Sequence, residues 1–362
     1  MSGMRAHLQV VAPFREAVAD IGGADAVARL SRWLNEHVRD GGGPVGLSRI
    51  GKGSSNELYE VRWSARTWVL RRPQRIPQDA AASNRIMSRE YRVLRALAGT
   101  GVPHPEPVAL CEDPGVIGAH FYLMERVEGF SPVGLFPPPF DADPAARRHW
   151  GLVIADVLAA LGAVDWRAAG LEDFGRPAGF LDRQVDRWLS HLAAHRTRDI
   201  PGLQETAGWL RENVPASPQA GLMHGDYQPH NLLFATELPA RLTAVLDWEQ
   251  ATIGDPLLDL GLLLAGWADP GEPPRFASYM SPRDGLPTRA ELLARYQQRS
   301  GRDVSSIAFY EVLAIFKLAC VLEGNYRLWV TGRSSQEVHR RTGDIVLGLA
   351  RQAQAACRGA AG

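Results

Sequence analysis

Residues 222–260 read LMHGDYQPHNLLFATELPARLTAVLDWEQATIGDPLLDL, and three polar residues stand at fixed offsets between the apolar runs of this stretch. Asn231 follows Asp226 by five positions, and Asp247 follows Asn231 by sixteen. The runs 232–234 and 242–246 predict two short strands, and 235–241, which contains Pro239, predicts the turn joining them. A hairpin of this kind sets Asn231, at the exit of a loop, beside Asp247 at the end of the far strand. Oxygen donors placed this way suit Mg2+, which prefers hard ligands together with substrate phosphates. Asp226 lies upstream on the loop, where it is placed to take a proton from a substrate hydroxyl.

A loop Asp, a downstream Asn and a metal-binding Asp are the parts of the phosphoryl-transfer template. Asp, Asn and Gly are also ordinary turn residues. The three residues carry weight as a set, with strands in the places the template needs them.

At this point the chain resembles a known family. His224-Gly225-Asp226-Tyr227 with Asn231, then Asp247-Trp248-Glu249, Gly254-Asp255-Pro256 and Asp259-Leu260, look like the motifs of the aminoglycoside phosphotransferase and choline kinase superfamily. Within it the chain is most similar to the phosphotransferase domains that are fused to some acyl-CoA dehydrogenases and also occur alone in bacteria. The resemblance runs from about Trp33 to about Trp329. It implies an α+β, bilobal protein-kinase-like fold, with a small antiparallel-sheet N-lobe and a mostly helical C-lobe. It also implies ATP or GTP as co-substrate, and Mg2+. The expected organisation is accessory helices over 1–44, the N-lobe over 45–124 and the C-lobe over 125–362.

The composition is that of an ordinary globular protein: 362 residues, 45% hydrophobic and 22% charged. Forty basic residues balance forty acidic ones, so a nucleic-acid partner gets no support. Cys111, Cys320 and Cys357 are too few and too far apart for a disulfide framework or a metal cluster, and a reducing cytoplasm is the natural setting. The apolar stretches 151–164 and 312–322 are short and contain Asp156 and Lys317, so they read as buried helices and no membrane partner is expected. The chain leaves the oligomeric state open.

Helical periodicity covers 13–21 and 24–38, and Gly41-Gly42-Gly43-Pro44 ends it. Three strands are expected over 47–50, 58–63 and 67–71. Between the first two lie Gly51-Lys52-Gly53-Ser54-Ser55-Asn56, a small-residue loop whose N–H groups suit phosphates. It lacks the Gly-Lys-Ser/Thr leading into a helix of the Walker pattern. The third strand offers Arg71 and Arg72 where a kinase-like fold uses Lys, and strand alternation lets only one of them face inward. Arg71 is preferred, and an Arg there would grip phosphate as a fork. Helix 83–97 carries Glu90, where the resemblance expects a carboxylate to pair with the strand cation. Strand 121–127 is implied to be the hinge, with Glu125, Arg126 and Val127 meeting a purine edge through their backbone.

Downstream, helices are expected over 145–164, 180–196 and 202–213. Leu161 is followed by Gly162 where the family carries His. The roles implied for the central stretch are Asp226 as general base or hydroxyl orienter, and Asn231 and Asp247 as metal ligands. His224 reads as a structural residue, Glu249 as a second-metal or substrate group, and Asp255 and Asp259 as supports. His230 stands where relatives often have an acidic residue, on the substrate side of the loop, and Tyr227-Gln228-Pro229 departs as well. Residues 256–362 hold thirteen basic and ten acidic residues among many aromatics, a balance that suits a hydroxyacyl thioester or another hydrophobic alcohol better than a polycationic aminoglycoside. The alternative is a nucleotide-binding pseudokinase or regulatory module.

Overall fold

In Tyr59-Glu60-Val61-Arg62-Trp63 large apolar residues alternate with charged ones, and this period-two pattern forms an inner strand of a five-stranded antiparallel sheet. The structure, a computed structural model, describes residues 14–39, 42–52, 56–74, 80–133, 135–216, 219–275 and 284–360. By its internal contacts the chain divides into two compact units, residues 1–128 with 243–249, and residues 129–242 with 250–362.

The first unit opens with helices α1 (Phe14–Asp20) and α2 (Ala24–His37), then strands β1 (Val45–Lys52), β2 (Asn56–Trp63) and β3 (Arg66–Pro73). Helix α3 (Ala80–Ala96), strand β4 (Pro107–Cys111), the short α4 (Pro114–Ile117) and strand β5 (Phe121–Glu125) complete it. The strand order is β1-β2-β3-β5-β4, antiparallel throughout, with Tyr59 opposite Leu70 and Leu70 opposite Leu123. Strand β4 is absent from the sequence reading. Its Pro107 begins an edge strand paired only with β5, where a missing N–H is tolerated.

One face of the sheet is covered by the N-terminal helices. Leu30 and Leu34 of α2 share a core with Leu47, Tyr59, Val61, Trp63, Leu70 and Phe121. The Trp33 ring stands edge-on to Phe121, centroids 5.0 Å apart. A large side chain buried this way contributes roughly 1.5–3 kcal/mol, so α1 and α2 are part of this fold's core. Helix α3 lies against β3, β4 and β5 and buries Met87, Glu90, Val93 and Leu94.

The second unit contains α5 (Pro144–Gly162), α6 (Gln184–His195) and α7 (Leu203–Glu212), then strands β6 (Gly221–Met223) and β7 (Leu232–Phe234). Strand β8 (Leu242–Val245) begins at its last residue before the division, and β9 (Thr252–Gly254) and helices α8 (Leu257–Gly266), α9 (Arg289–Ser300), α10 (Ile307–Val330) and α11 (Glu337–Ala360) follow. The turn after β7 is closed by the Ala235 amide donating to the Arg241 carbonyl at 2.9 Å. Strands β6 and β9 pair antiparallel, Leu222 opposite Ile253, a ladder the sequence reading does not contain. The two three-residue strands are too short to show a period.

Helix α8 is buried on every side from Leu257 to Ala265, as expected of a helix apolar all round. It meets α10 at Gly261, where a Cβ would lie 2.5 Å from the carbonyl carbon of Tyr310, so only glycine permits the approach. Helix α10 buries Phe309, Tyr310, Val312, Leu313, Ile315 and Phe316, and with them Lys317. Among the described residues no helix is long and apolar enough to cross a membrane.

Candidate active site

Alternation along β3 separates the two arginines. Arg72 shares the parity of Trp68 and Leu70, both part of the core under α1 and α2. There, only 2% exposed, it donates to Glu57 Oε2 at 3.0 Å, to the Ile117 carbonyl at 2.9 Å and to the Asp20 carbonyl at 3.3 Å. Arg72 is therefore spent on the helix-covered face, and its inclusion among the phosphate-binding residues is corrected. Arg71 turns to the opposite face, where its Nε and an Nη each donate to Glu90 at 2.9 Å. The same nitrogen bonds Asp247 Oδ1 and lies 3.9 Å from Glu249.

This side-chain set belongs wholly to the first unit. Glu90 is fully buried and also accepts from the Tyr122 hydroxyl at 3.3 Å. Burial outweighs the pull of the Arg71 guanidinium and raises the Glu90 carboxyl above its ordinary value. Burial also works against the charge of Arg71, but Glu90, Asp247 and Glu249 together hold it. With two N–H donors forked onto one carboxyl, the pair rests as guanidinium and carboxylate.

Asp247 has φ 67°, one of two non-glycine residues with positive φ among those described. Asp tolerates this left-handed conformation better than most residues, and the strain marks a position whose side-chain direction matters. The next residues do not continue the strand. Trp248–Gln250 turn as a 3-10 helix, and that turn, rather than strand alternation, returns Glu249 to the same side. Oxygens of Glu90, Asp247 and Glu249 lie within 4.8 Å of one another. Three carboxylates around one guanidinium leave surplus negative charge on hard oxygen donors, a set that fits a divalent cation such as Mg2+. Asn56 at the start of β2 donates to Glu249 Oε2 at 2.9 Å. Gly51 lies in β1 opposite Leu58, while Gly53, Ser54 and Ser55 lie outside the described residues. Glu125 ends β5 with its amide already donating to the Glu106 carbonyl at 2.8 Å, and Val127 follows two residues on.

The second unit carries the loop after β6. The 3-10 turn Pro229–Asn231 brings Asn231 back onto Asp226, and its Nδ2 donates to the Asp226 carbonyl at 2.9 Å and to Oδ2 at 3.1 Å. The donor side of the amide is thereby used. Gln228 Nε2 donates to Asp226 Oδ1 at 2.7 Å, and His230 Nε2 stands 3.7 Å from Oδ2. Burial alone would raise the Asp226 carboxyl, but His230, Lys317 and Gln228 more than offset it and hold it below the usual carboxylate range. A carboxylate of such low proton affinity stays ionised and is a weak base.

The loop is clamped from beneath. Buried His224 accepts the Asp226 amide on Nδ1 at 3.2 Å. Asp259 of α8 accepts the amides of His224 at 2.7 Å and Gly225 at 2.9 Å. Asp255 accepts from the Leu257 amide at 3.0 Å and from the Tyr310 hydroxyl at 2.7 Å, which fastens α8 to α10. Gly162 needs no side chain: a Cβ there would lie 3.0 Å from Pro256, and its carbonyl accepts from Arg302 at 2.8 Å. The residue that sequence reasoning missed is Lys317, whose Nζ donates to the Gly225 carbonyl at 2.5 Å. Its signal was a lone charge inside the apolar run 312–322.

Residues 46–310 match the phosphotransferase enzyme family. A crystal structure from Ralstonia eutropha, provisionally described as an aminoglycoside phosphotransferase, is 31% identical with a TM-score of 0.80, over 92% of this chain and 98% of that one. Acyl-CoA dehydrogenase family member 10 of Mus musculus is 31% identical over 312 residues, 85% of this chain but 29% of that protein. The chain spans well under half the length of the curated relatives it matches first. A thermostable mutant of an aminoglycoside phosphotransferase, solved as a ternary complex with ADP and hygromycin B, is 17% identical with a TM-score of 0.58, over 92% of this chain and 99% of that one, and shares the fold. This chain belongs to the phosphotransferase enzyme family and has the kinase-like fold of the aminoglycoside phosphotransferases.

Proposed function

We propose that the chain is a small-molecule phosphotransferase that moves the γ-phosphoryl group of ATP or GTP to an alcohol hydroxyl, with Mg2+. The observation that carries this reading is the buried Arg71–Glu90 fork with Asp247 on the same guanidinium. Arg71, held by Glu90, is the cation for the donor phosphates, and the amides of 51–56 and the backbone of 125–127 are the nucleotide's other contacts. Asp247 and Glu249 in the first unit are donors for Mg2+, whose charge when bound would neutralise the β- and γ-phosphates, and Asn231 is the metal ligand implied by the sequence motif.

Asp226 accepts the hydrogen bond of the acceptor hydroxyl and aims its oxygen lone pair at the γ-phosphorus. The new O–P bond forms as the bond to the β,γ-bridging oxygen breaks, and the nucleoside diphosphate leaves. A carboxylate of low proton affinity orients first and takes the proton late, once the alcohol oxygen has become acidic, and then passes it to solvent. His230 and Gln228, bonded around Asp226, stand on the acceptor's side of the loop. We favour a hydrophobic alcohol such as a hydroxyacyl thioester, since 256–362 is net basic and rich in aromatics. The three cysteines are free, which suits a reducing cytoplasm.

The test is turnover of Mg-ATP and Mg-GTP with a panel of hydroxylated acceptors, products followed by phosphorus NMR. Asp226→Asn should lower kcat by roughly 10²–10⁴ with its melting temperature retained. Equal rates for the wild type and the variant would overturn the reading.

A further inference from the structure

We infer that Lys317 of α10 is a positioning residue for the Asp226 loop, gripping the Gly225 carbonyl while Asp259 holds the neighbouring amides, so that the Asp226 carboxylate meets the acceptor hydroxyl in one orientation. The inference rests on the role proposed for Asp226.

Lys317, Asp259 and Gln250 converge on Gly225. The Lys317 ammonium donates to the Gly225 carbonyl at 2.5 Å. Asp259 accepts the Gly225 amide at 2.9 Å and the His224 amide at 2.7 Å. On the remaining side Gly225 has φ 83°, and a Cβ there would lie 2.5 Å from the Gln250 carbonyl oxygen. The residue before Asp226 is thus held at its N–H, its C=O and its Cα together, and a carboxylate one residue on inherits that order.

Packing alone is a poor reason for a lysine here. Lys317 is buried in a helix otherwise lined by Leu313, Ala314, Phe316 and Cys320, and a Met of similar length would fill the place without desolvating a charge. Burial pulls the Lys317 ammonium below its ordinary value, Asp226 and Asp259 favour its charge, and Arg187 opposes it; the Trp188 ring centroid is 5.5 Å away. The ammonium is thus a countercharge to the two carboxylates of the loop and its support. Removing the ammonium takes the donor from the Gly225 carbonyl and a countercharge from Asp226 and Asp259, so the order of the residue before Asp226 is what is lost.

A double-mutant cycle tests this. Lys317→Met removes the donor and the charge, whereas Lys317→Gln retains a donor without charge. Each is made in the wild type and in Asp226→Asn. Lys317→Met should lower kcat at least about tenfold with the nucleotide KM within about twofold, Lys317→Gln should fall between, and neither should lower kcat further once Asp226 has become Asn. Equal losses in both backgrounds would mean a merely structural role and overturn the inference. Amide hydrogen exchange provides a readout independent of turnover. The amides of 224–226 should exchange at least about tenfold faster in Lys317→Met while those of 309–316 stay protected. Unchanged loop exchange would overturn the inference, even if the wild type proved to transfer no phosphate; absence of turnover in the wild type alone would remove the proposed function and leave the exchange result standing. Should Lys317→Met not fold, Lys317→Gln decides by the same two measurements.

Discussion

Replacing Arg71 by Met removes the one cation among three carboxylates and leaves fully buried Glu90 without its fork. Breaking a buried pair in this way typically costs about 3–5 kcal/mol. Proton uptake caps the loss, because Glu90 can become neutral instead of staying charged. A carboxyl with an unfolded pKa near 4.3 costs about 1.4 kcal/mol per pH unit to protonate, so the cap is about 4 kcal/mol near pH 7 and under about 2 kcal/mol near pH 5.5. The sign follows from proton counting. In Arg71→Met the folded pKa of Glu90 lies further above the unfolded value, the folded state binds more protons, and stability is present at low pH and lost as pH rises toward the folded pKa. The expected destabilisation is therefore about 2–4 kcal/mol near pH 7, smaller by about 1–2 kcal/mol near pH 5.5. Urea unfolding at the two pH values, followed by tryptophan fluorescence and far-UV circular dichroism together, measures it. A loss below about 1 kcal/mol, or a loss equal at both pH values, would refute the reasoning, since it would mean that Glu90 is already neutral in the wild type and owes nothing to Arg71.

Two further substitutions probe the parts separately. Arg72→Met should destabilise by a similar few kcal/mol, because Glu57 and two carbonyls lose their donor, yet leave the nucleotide KM within about twofold; a large rise in KM would return Arg72 to the phosphate site. Gly225→Ala should cost at least about 1–2 kcal/mol from the left-handed backbone alone and displace the loop from Gln250, lowering kcat at least about tenfold, and wild-type turnover in this variant would show that the loop needs no such clamp.

Much of the molecule was legible because its signals are local. The helix periods of 24–38, 83–97 and 145–164 match α2, α3 and α5 to within a few residues, since amphipathic repeats need no distant partner to be seen. The five-residue offset of Asp226 and Asn231 is spanned by a single short turn, so their hydrogen bonds follow from chain connectivity. Strand β4 escaped because a Pro-rich lead-in hides an edge strand, and β6 and β9 because three residues carry no period.

The sequence by itself determined that one of two adjacent arginines would point away from the other, because a strand alternates. Only the tertiary structure decided which, because α1 and α2 make one face of the sheet a core and draw Arg72 into it. Likewise a lone lysine in an apolar run announced a buried charge, but its partner is 92 positions away in sequence. Whether such a charge is neutral packing, a defect or a support for the loop depends on which carbonyl and which carboxylates the packed helices deliver to it, and that is a matter of through-space distance that sequence separation does not encode.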